Sequence, residues 1–290
     1  NSLMICGISI FGEAPYKTIC TNGWTLDEKG EKMSKSLGNV IWAKEAYEEI
    51  GADVLRLHLC STNAPWESLN FSLREAKIIK NNLNTLYNLV SFVKSYFKDS
   101  NKTVDIKELS DLWLLSKINS LVKEITEDME NFRFHHATRK IVSFIINDFS
   151  RIYIKLVRDR AESEEVREVM LYTLKKVLKL LAPFTPFLSE DLYTGLFEKS
   201  VHLESWPKVD EDKINKDLEE KFEIGKEISE AINSERQKQN VRLRLPIKRA
   251  TVFGSPKIKE IVEEIGEIIK ILSNLKEIEF KENKNVEIKP

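Results

Sequence analysis

Three cysteines, Cys6, Cys20 and Cys60, are all that this chain of 290 residues holds. They are odd in number, widely spaced and without a C-x-x-C pair, which argues against a disulfide framework or a zinc knuckle and fits a reducing cytoplasm. No run of eighteen apolar residues occurs, so no membrane-spanning helix is expected. The opening stretch "NSLMICGISIFGEAP" is apolar, yet it lacks a basic lead and an A-x-A-like end, so it reads as a buried element and not as a signal peptide. It starts at Asn1 with the texture of a mid-element, as a segment of something longer does. Charge of one sign is also missing. The 45 Lys and Arg balance 46 Asp and Glu to a net charge of −1, so no overall field gathers nucleic acid, and any such partner must be met by local clusters. Of the four histidines, His135 and His136 are adjacent within a helical stretch and point about 100° apart, a poor arrangement for a shared metal. No metal site is expected, and no internal repeat or low-complexity segment is present.

What is there suits a soluble chain with a real core: 42% hydrophobic and 31% charged residues. The apolar runs at residues 3–10 and 17–25, split by "GEAP", predict strands of an α/β layer. Ala43, Ala46, Tyr47 and Ile50 predict a helix that Gly51 stops, with Asp53 as cap of the next. Arg56 is expected in a structural ion pair and Trp66 as a buried anchor. From residue 72 the character changes to long amphipathic helices. They cover about 72–97, from Ser110 or Asp111 onward, 134–160 and 164–181, with Leu115, Ile118, Val122, Ile125 and Met129 giving the clearest 3-4 spacing. Four such helices describe a bundle. Pro183 and Pro186 end the last of them. A connector, a helix over 215–239 and a strand–helix–strand tail follow, with strands near 276–280 and 286–289.

The stretch "TLDEKGEKMSKSLGN" at residues 25–39 carries three lysines between glycines and small hydroxyls. Gly30 and Gly38 permit turn conformations that other residues resist. Lys32 and Lys35 are mobile point charges with three donors each, suited to a polyphosphate that moves during reaction, and Ser34 and Ser36 add donors without bulk. Such groups catalyse by positioning and by stabilising charge on departing phosphates. A solvated lysine turn accounts for the same composition.

"KMSKS" at residues 32–36 resembles the signature loop of class I aminoacyl-tRNA synthetases. "GADVLRLHL" at 51–59, "PWESLNFS" at 65–72, "DFSRIYIKLVRDR" at 148–160, "LAPFTPFLSEDLY" and "RLRLPIKR" at 242–249 resemble, in the same order, the branched-aliphatic subgroup, most of all the isoleucyl-tRNA synthetase family of an archaeal kind. The valyl family is the near alternative, and a free-standing, non-catalytic tRNA-binding helical module is the alternative of another class. The resemblance implies a mainly α fold, a helical-bundle anticodon-binding domain preceded by the end of a Rossmann-like catalytic domain and followed by a small α+β domain. It divides the chain into a catalytic remnant at 1–40 with the lysine loop, a stem-contact region at 41–72, the anticodon-binding bundle at 73–200, and a C-terminal helix with the α+β domain at 201–290.

By that resemblance the complete enzyme makes an aminoacyl-adenylate from ATP, with Mg2+, and passes the aminoacyl group to tRNA(Ile). Lys35 and Lys32 are the catalytic residues, and Lys32, Met33, Ser34, Lys35 and Ser36 bind the ATP phosphates, Met33 packing inward. The H-x-G-H-like partner motif, the amino-acid pocket and the editing insertion are not in this sequence. The segment alone is therefore expected to be inactive, cytoplasmic, monomeric and free of membrane, with the N-terminal catalytic and editing regions of the same polypeptide as partners.

Two basic clusters are candidates for tRNA. Arg151, Lys155 and Arg158 fall at i, i+4 and i+7 of one helix, with Arg160 just beyond. In "RQKQNVRLRLPIKR", Arg236, Lys238, Arg242, Arg244, Lys248 and Arg249 gather with Glu235 as the nearby acid. Contacts of this kind bind phosphates, while unpaired bases are read by stacking, for which Trp113, Phe132 and Phe134 are candidates. The arginine stripe reads equally as a salt-bridged face, and the aromatics as core.

Overall fold

The computed structural model describes residues 2–96 and 104–282. The expected strand at 286–289 lies outside them. The chain is mainly α. It opens with α1 (Ser2–Phe11), β1 (Thr25–Leu26), α2 (Ala43–Ile50), α3 (Ala52–Thr62) and β2 (Leu69–Asn70). The strands expected over residues 3–10 and 17–25 are therefore corrected: the first is a helix, and only Thr25 of the second is in a strand. A strand must borrow its hydrogen bonds from a neighbour, whereas a helix closes its own. Leu3, Ile5, Ile8, Ile10 and Phe11 are each more than half exposed on α1, so local backbone bonding rather than packing sets its form.

The bundle consists of α4 (Leu73–Tyr96), α5 (Leu109–Glu130), α6 (Phe134–Ser143) running through a π-helical stretch into α7 (Ile154–Val157), α8 (Glu164–Leu181) and α9 (Pro186–Phe197). The π-helical stretch, Phe144–Tyr153, shifts the register of the expected third helix. The core is the predicted apolar stripe. Ile118, Val122 and Ile125 of α5 meet Val166, Val169, Met170, Leu174 and Val177 of α8, all fully buried. Each such side chain contributes about 1.5–3 kcal/mol on leaving water.

Buried polar groups specify which helices meet. Asp111, expected as a cap, is 0% exposed inside α5. It accepts from Tyr153 Oη at 2.7 Å and from both terminal nitrogens of Arg160 at 2.7 and 2.8 Å. Burial next to this carboxylate raises the Tyr153 phenol well above its ordinary range. Asp53 caps a helix, but not its own. It accepts from the Phe187 and Leu188 amides at 3.4 and 2.6 Å, at the N-terminus of α9. Among the described residues Arg56 makes no ion pair, and it donates to the carbonyls of Pro183 and Phe184 at 2.8 and 3.3 Å. "GADVLRLHL" and "LAPFTPF" are thus docked on each other.

The tail begins with α10 (Lys216–Lys238), which lies back on the bundle: Phe222 stacks on Trp113 at 4.7 Å, and Glu219 accepts from Ser116 and Ser120 of α5 at 2.5 and 2.6 Å. Then β3 (Ile247–Gly254), α11 (Pro256–Ser273) and β4 (Leu275–Glu282) form a βαβ unit with two parallel strands, Ile247 beside Leu275 and Val252 beside Phe280. No helix among the described residues is long and apolar enough to cross a membrane.

Candidate phosphate loop and nucleic-acid interface

The lysine loop is held at its base by the stretch "PWESLNFS". Gly23 N donates to Pro65 O at 2.8 Å, Leu69 N to Trp24 O at 2.8 Å and Phe71 N to Leu26 O at 2.9 Å, while β1 pairs with β2. A Cβ on Gly23 would stand 2.2 Å from the Glu67 carbonyl oxygen, so only glycine permits this approach. Trp66, expected as a buried anchor, is 56% exposed; the main chain around it does the anchoring.

Within the loop, Asp27 organises a tight turn. Its Oδ1 accepts from the Lys29 and Glu31 amides at 3.0 and 2.8 Å, and Gly30 takes φ 81°. Asn39 closes the loop from the other side. It donates to Asp27 Oδ2 at 2.9 Å and to Lys32 O at 3.4 Å, and its Oδ1 accepts from Ser34 N at 2.9 Å. The hydrogen bonds from Asn39 first, and from the Glu31 amide second, hold the Asp27 carboxyl below its usual range. Between these clasps Ser34 to Gly38 forms a short helical turn, with Ser34 Oγ and Ser36 Oγ 3.1 Å apart. Met33 is half-buried, whereas Lys32 and Lys35 are exposed. Among the described residues neither lysine meets an acid. The Lys32 ammonium rests 5.0 Å from the Trp24 ring centre and that of Lys35 rests 5.2 Å from Trp42. A clasped backbone presents two uncommitted cations beside hydroxyl and amide donors, as an anionic, multiply charged ligand requires.

The basic clusters are sorted by the fold. Arg151 is exposed and bonds Asn147 at 3.2 Å; Arg158 is exposed. Lys155 leaves the expected stripe. Its ammonium donates to Leu272 O at 2.7 Å, and burial, then the Arg236 and Arg158 charges, lower its pKa. Arg236 is corrected more sharply: it is 3% exposed, buried among carbonyl oxygens, and is not available to a phosphate. Its position continues the buried face of α10, after Leu218, Phe222, Gly225 and Ser229, and that helical spacing is the signal by which the sequence marks it as inward. Lys238 pairs with Glu235, and Arg249 with Glu277 and Glu279.

Arg242, Arg244 and Lys248 remain exposed, and among the described residues none pairs with an acid. Lys276 joins them. The ladder sets Ile247 beside Leu275 and Arg249 beside Glu277, so Lys248 and the exposed Lys276 are neighbours. Only the register reveals this pair. One residue of each cluster, Lys155 of the first and Arg236 of the second, thus meets the C-terminal turn of α11 at residues 272–274.

Of the candidate stacking residues, Trp113 is core at 1% exposed. Phe132 and Phe134 are half-buried, edge to face at 6.0 Å, in the α5–α6 turn. Phe132 takes φ 57°, uncommon for a bulky residue, and Arg133 beside it is fastened to Asp128 at 2.8 Å and Glu127 at 2.9 Å. Among the described residues no group of three or more His, Cys, Asp or Glu is arranged to hold a metal.

Residues 1–72 match the family described as tRNA synthetases class I (I, L, M and V), and residues 111–252 match the anticodon-binding domain of tRNA ligase. The chain is similar to the isoleucine–tRNA ligases of Methanothrix thermoacetophila, 38% identical over 92% of this chain and 27% of that protein. For Pyrococcus horikoshii the figures are 35%, 100% and 29%, and for Methanococcus aeolicus 39%, 97% and 28%. The chain spans little more than a quarter of these curated relatives. In fold it is similar to LeuRS of Agrobacterium radiobacter K84, solved in a ternary complex with tRNA and LeuAMS: TM-score 0.60, 21% identity, 74% of this chain and 27% of that one.

Proposed function

From the membership of this chain in the class I tRNA synthetases, we propose that it serves isoleucine–tRNA ligase activity, as the part that carries the ATP-phosphate loop and the anticodon-binding bundle. Isoleucine is activated with ATP and transferred to tRNA(Ile). The observation that carries this reading is the clasped loop, in which both Lys32 and Lys35 are exposed and, among the described residues, meet no acid. When the amino-acid carboxylate attacks the α-phosphate, negative charge grows on the departing pyrophosphate. Lys35 stabilises that charge and Lys32 assists, while Met33 anchors the loop and Ser34 and Ser36 complete its turn. Mg2+ accompanies ATP as part of the substrate.

The division at residues 40, 72 and 200 belongs to the same proposal, as do a monomeric state and a cytoplasmic setting. The tRNA meets Arg151, Arg158, Arg242, Arg244 and Lys248 through its phosphates, and Phe132 and Phe134 are placed to stack on unpaired bases. The test is ATP–pyrophosphate exchange by the full-length protein with isoleucine, valine, leucine and methionine. Exchange greatest with isoleucine supports the assignment. Exchange greatest with valine moves it to the valyl branch, and none with any of the four removes the activity.

A further inference from the structure

Residues 242–246 are all exposed, and Leu243 and Leu245 are 47% and 52% open to solvent, so no apolar core holds this loop in shape. What holds it is a buried cation. Arg236 sends one terminal nitrogen to the carbonyls of Ser273 at 2.7 Å and Asn274 at 3.4 Å, and the other to those of Arg242 at 2.8 Å and Leu245. Among the described residues its Nε has no partner and no carboxylate pairs with the guanidinium. Asn274, at φ 52°, adds a bond from its side-chain amide to Leu243 O at 2.9 Å. Lys155 meets the same turn at Leu272 O. A guanidinium caged by carbonyls of a helix end is stabilised by their dipoles. It also freezes a loop that would otherwise lose entropy only on binding.

We propose that Arg236 is the positioning residue of one phosphodiester-binding surface, in which Arg158 of the bundle and Arg242, Arg244, Lys248 and Lys276 around the βαβ unit act together on RNA. The proposal rests on the reading that this face meets tRNA. Lys276 enters because two lysines side by side on neighbouring strands repel unless an anion lies between them. Arg236 acts through the loop: it touches no phosphate, but without it Arg242 and Arg244 lose their fixed places.

The experiment measures binding of a tRNA(Ile) transcript to the full-length protein over a series of salt concentrations. Arg242→Ala with Arg244→Ala lowers affinity roughly ten-fold or more and reduces the salt slope by about 2. Arg236→Met produces a similar loss and slope, and adding it to the Arg242/Arg244 pair costs nothing further. Asn274→Gly keeps the turn conformation, leaves no buried space and weakens binding about three-fold, so the idea stays testable if Arg236→Met does not fold. Lys276→Ala lowers the slope by about 1. If Arg242 and Arg244 matter but Arg236→Met and Asn274→Gly do not, or if the losses simply add, Arg236 is merely structural and the proposal fails. If the Arg242/Arg244 pair itself has no effect, the tRNA reading of this face fails, and the proposal with it.

Discussion

Two loops in this molecule present cations, and they are fixed by opposite means. The lysine loop is closed by a carboxylate and an amide close in sequence, Asp27 with Asn39 twelve residues on. The arginine loop at 242–245 is closed by a cation from inside, Arg236, reaching carbonyls up to 38 residues away. The first is a self-contained turn on a thin base of two short strands. The second is tied to the helical core through Arg236, because the helix that carries Arg236 also stacks Phe222 on Trp113. A loop built locally can change its shape without disturbing the rest; a loop built on the core cannot. That difference suits a phosphate loop that acts during a reaction cycle and a surface that holds a large ligand still.

The comparison breaks first at the bundle. Asp111→Ala leaves Arg160 and Tyr153 facing a cavity and should destabilise the protein by about 3 kcal/mol, read as a lower urea midpoint. A loss under about 1 kcal/mol would show that this buried network does not hold the helices. Next comes the local clasp. Asn39→Ala removes bonds to Asp27, Lys32 and Ser34, and is expected to slow exchange about ten-fold with the urea midpoint unchanged. A lowered midpoint with normal exchange would reverse the assignment of the two loops.

Much of this was legible in the residues and some was not. The "KMSKS" turn and the 3-4 stripe of α5 are contiguous or periodic, so they can be read without a fold. Asp53 and Arg56 carry no such mark: their partners at 183–188 lie more than 120 residues away, and chemistry alone shows only that they want acceptors and donors. Arg236 was readable in part, since the buried spacing of α10 passes through it, but a cluster of bases in the linear sequence points outward by default. Lys276 needs the register of a parallel ladder. The opening strands fail for a different reason: alternation and apolar texture do not choose between strand and helix where the partner layer is not part of the described residues.

Acid separates the two loops more gently. The Asp27 carboxyl is held below its ordinary value, so its contribution to the clasp is complete above about pH 4 and is lost as the pH falls through the lowered value. The lysine loop should open in acid, seen by Trp24 and Trp42 fluorescence, before the arginine loop, whose clamp holds no carboxylate among the described residues. Simultaneous opening would contradict the contrast. The smallest effect belongs to the indole rests: Trp24→Leu or Trp42→Leu removes an exposed contact of about 0.5–1 kcal/mol and should change exchange by less than about five-fold.

The most direct measurement is ATP–pyrophosphate exchange by the full-length protein carrying Lys35→Ala, with isoleucine binding followed in parallel. The account predicts a fall of about 10²–10³ in exchange with little change in isoleucine binding. Near-normal exchange, or a loss confined to isoleucine binding, would contradict it.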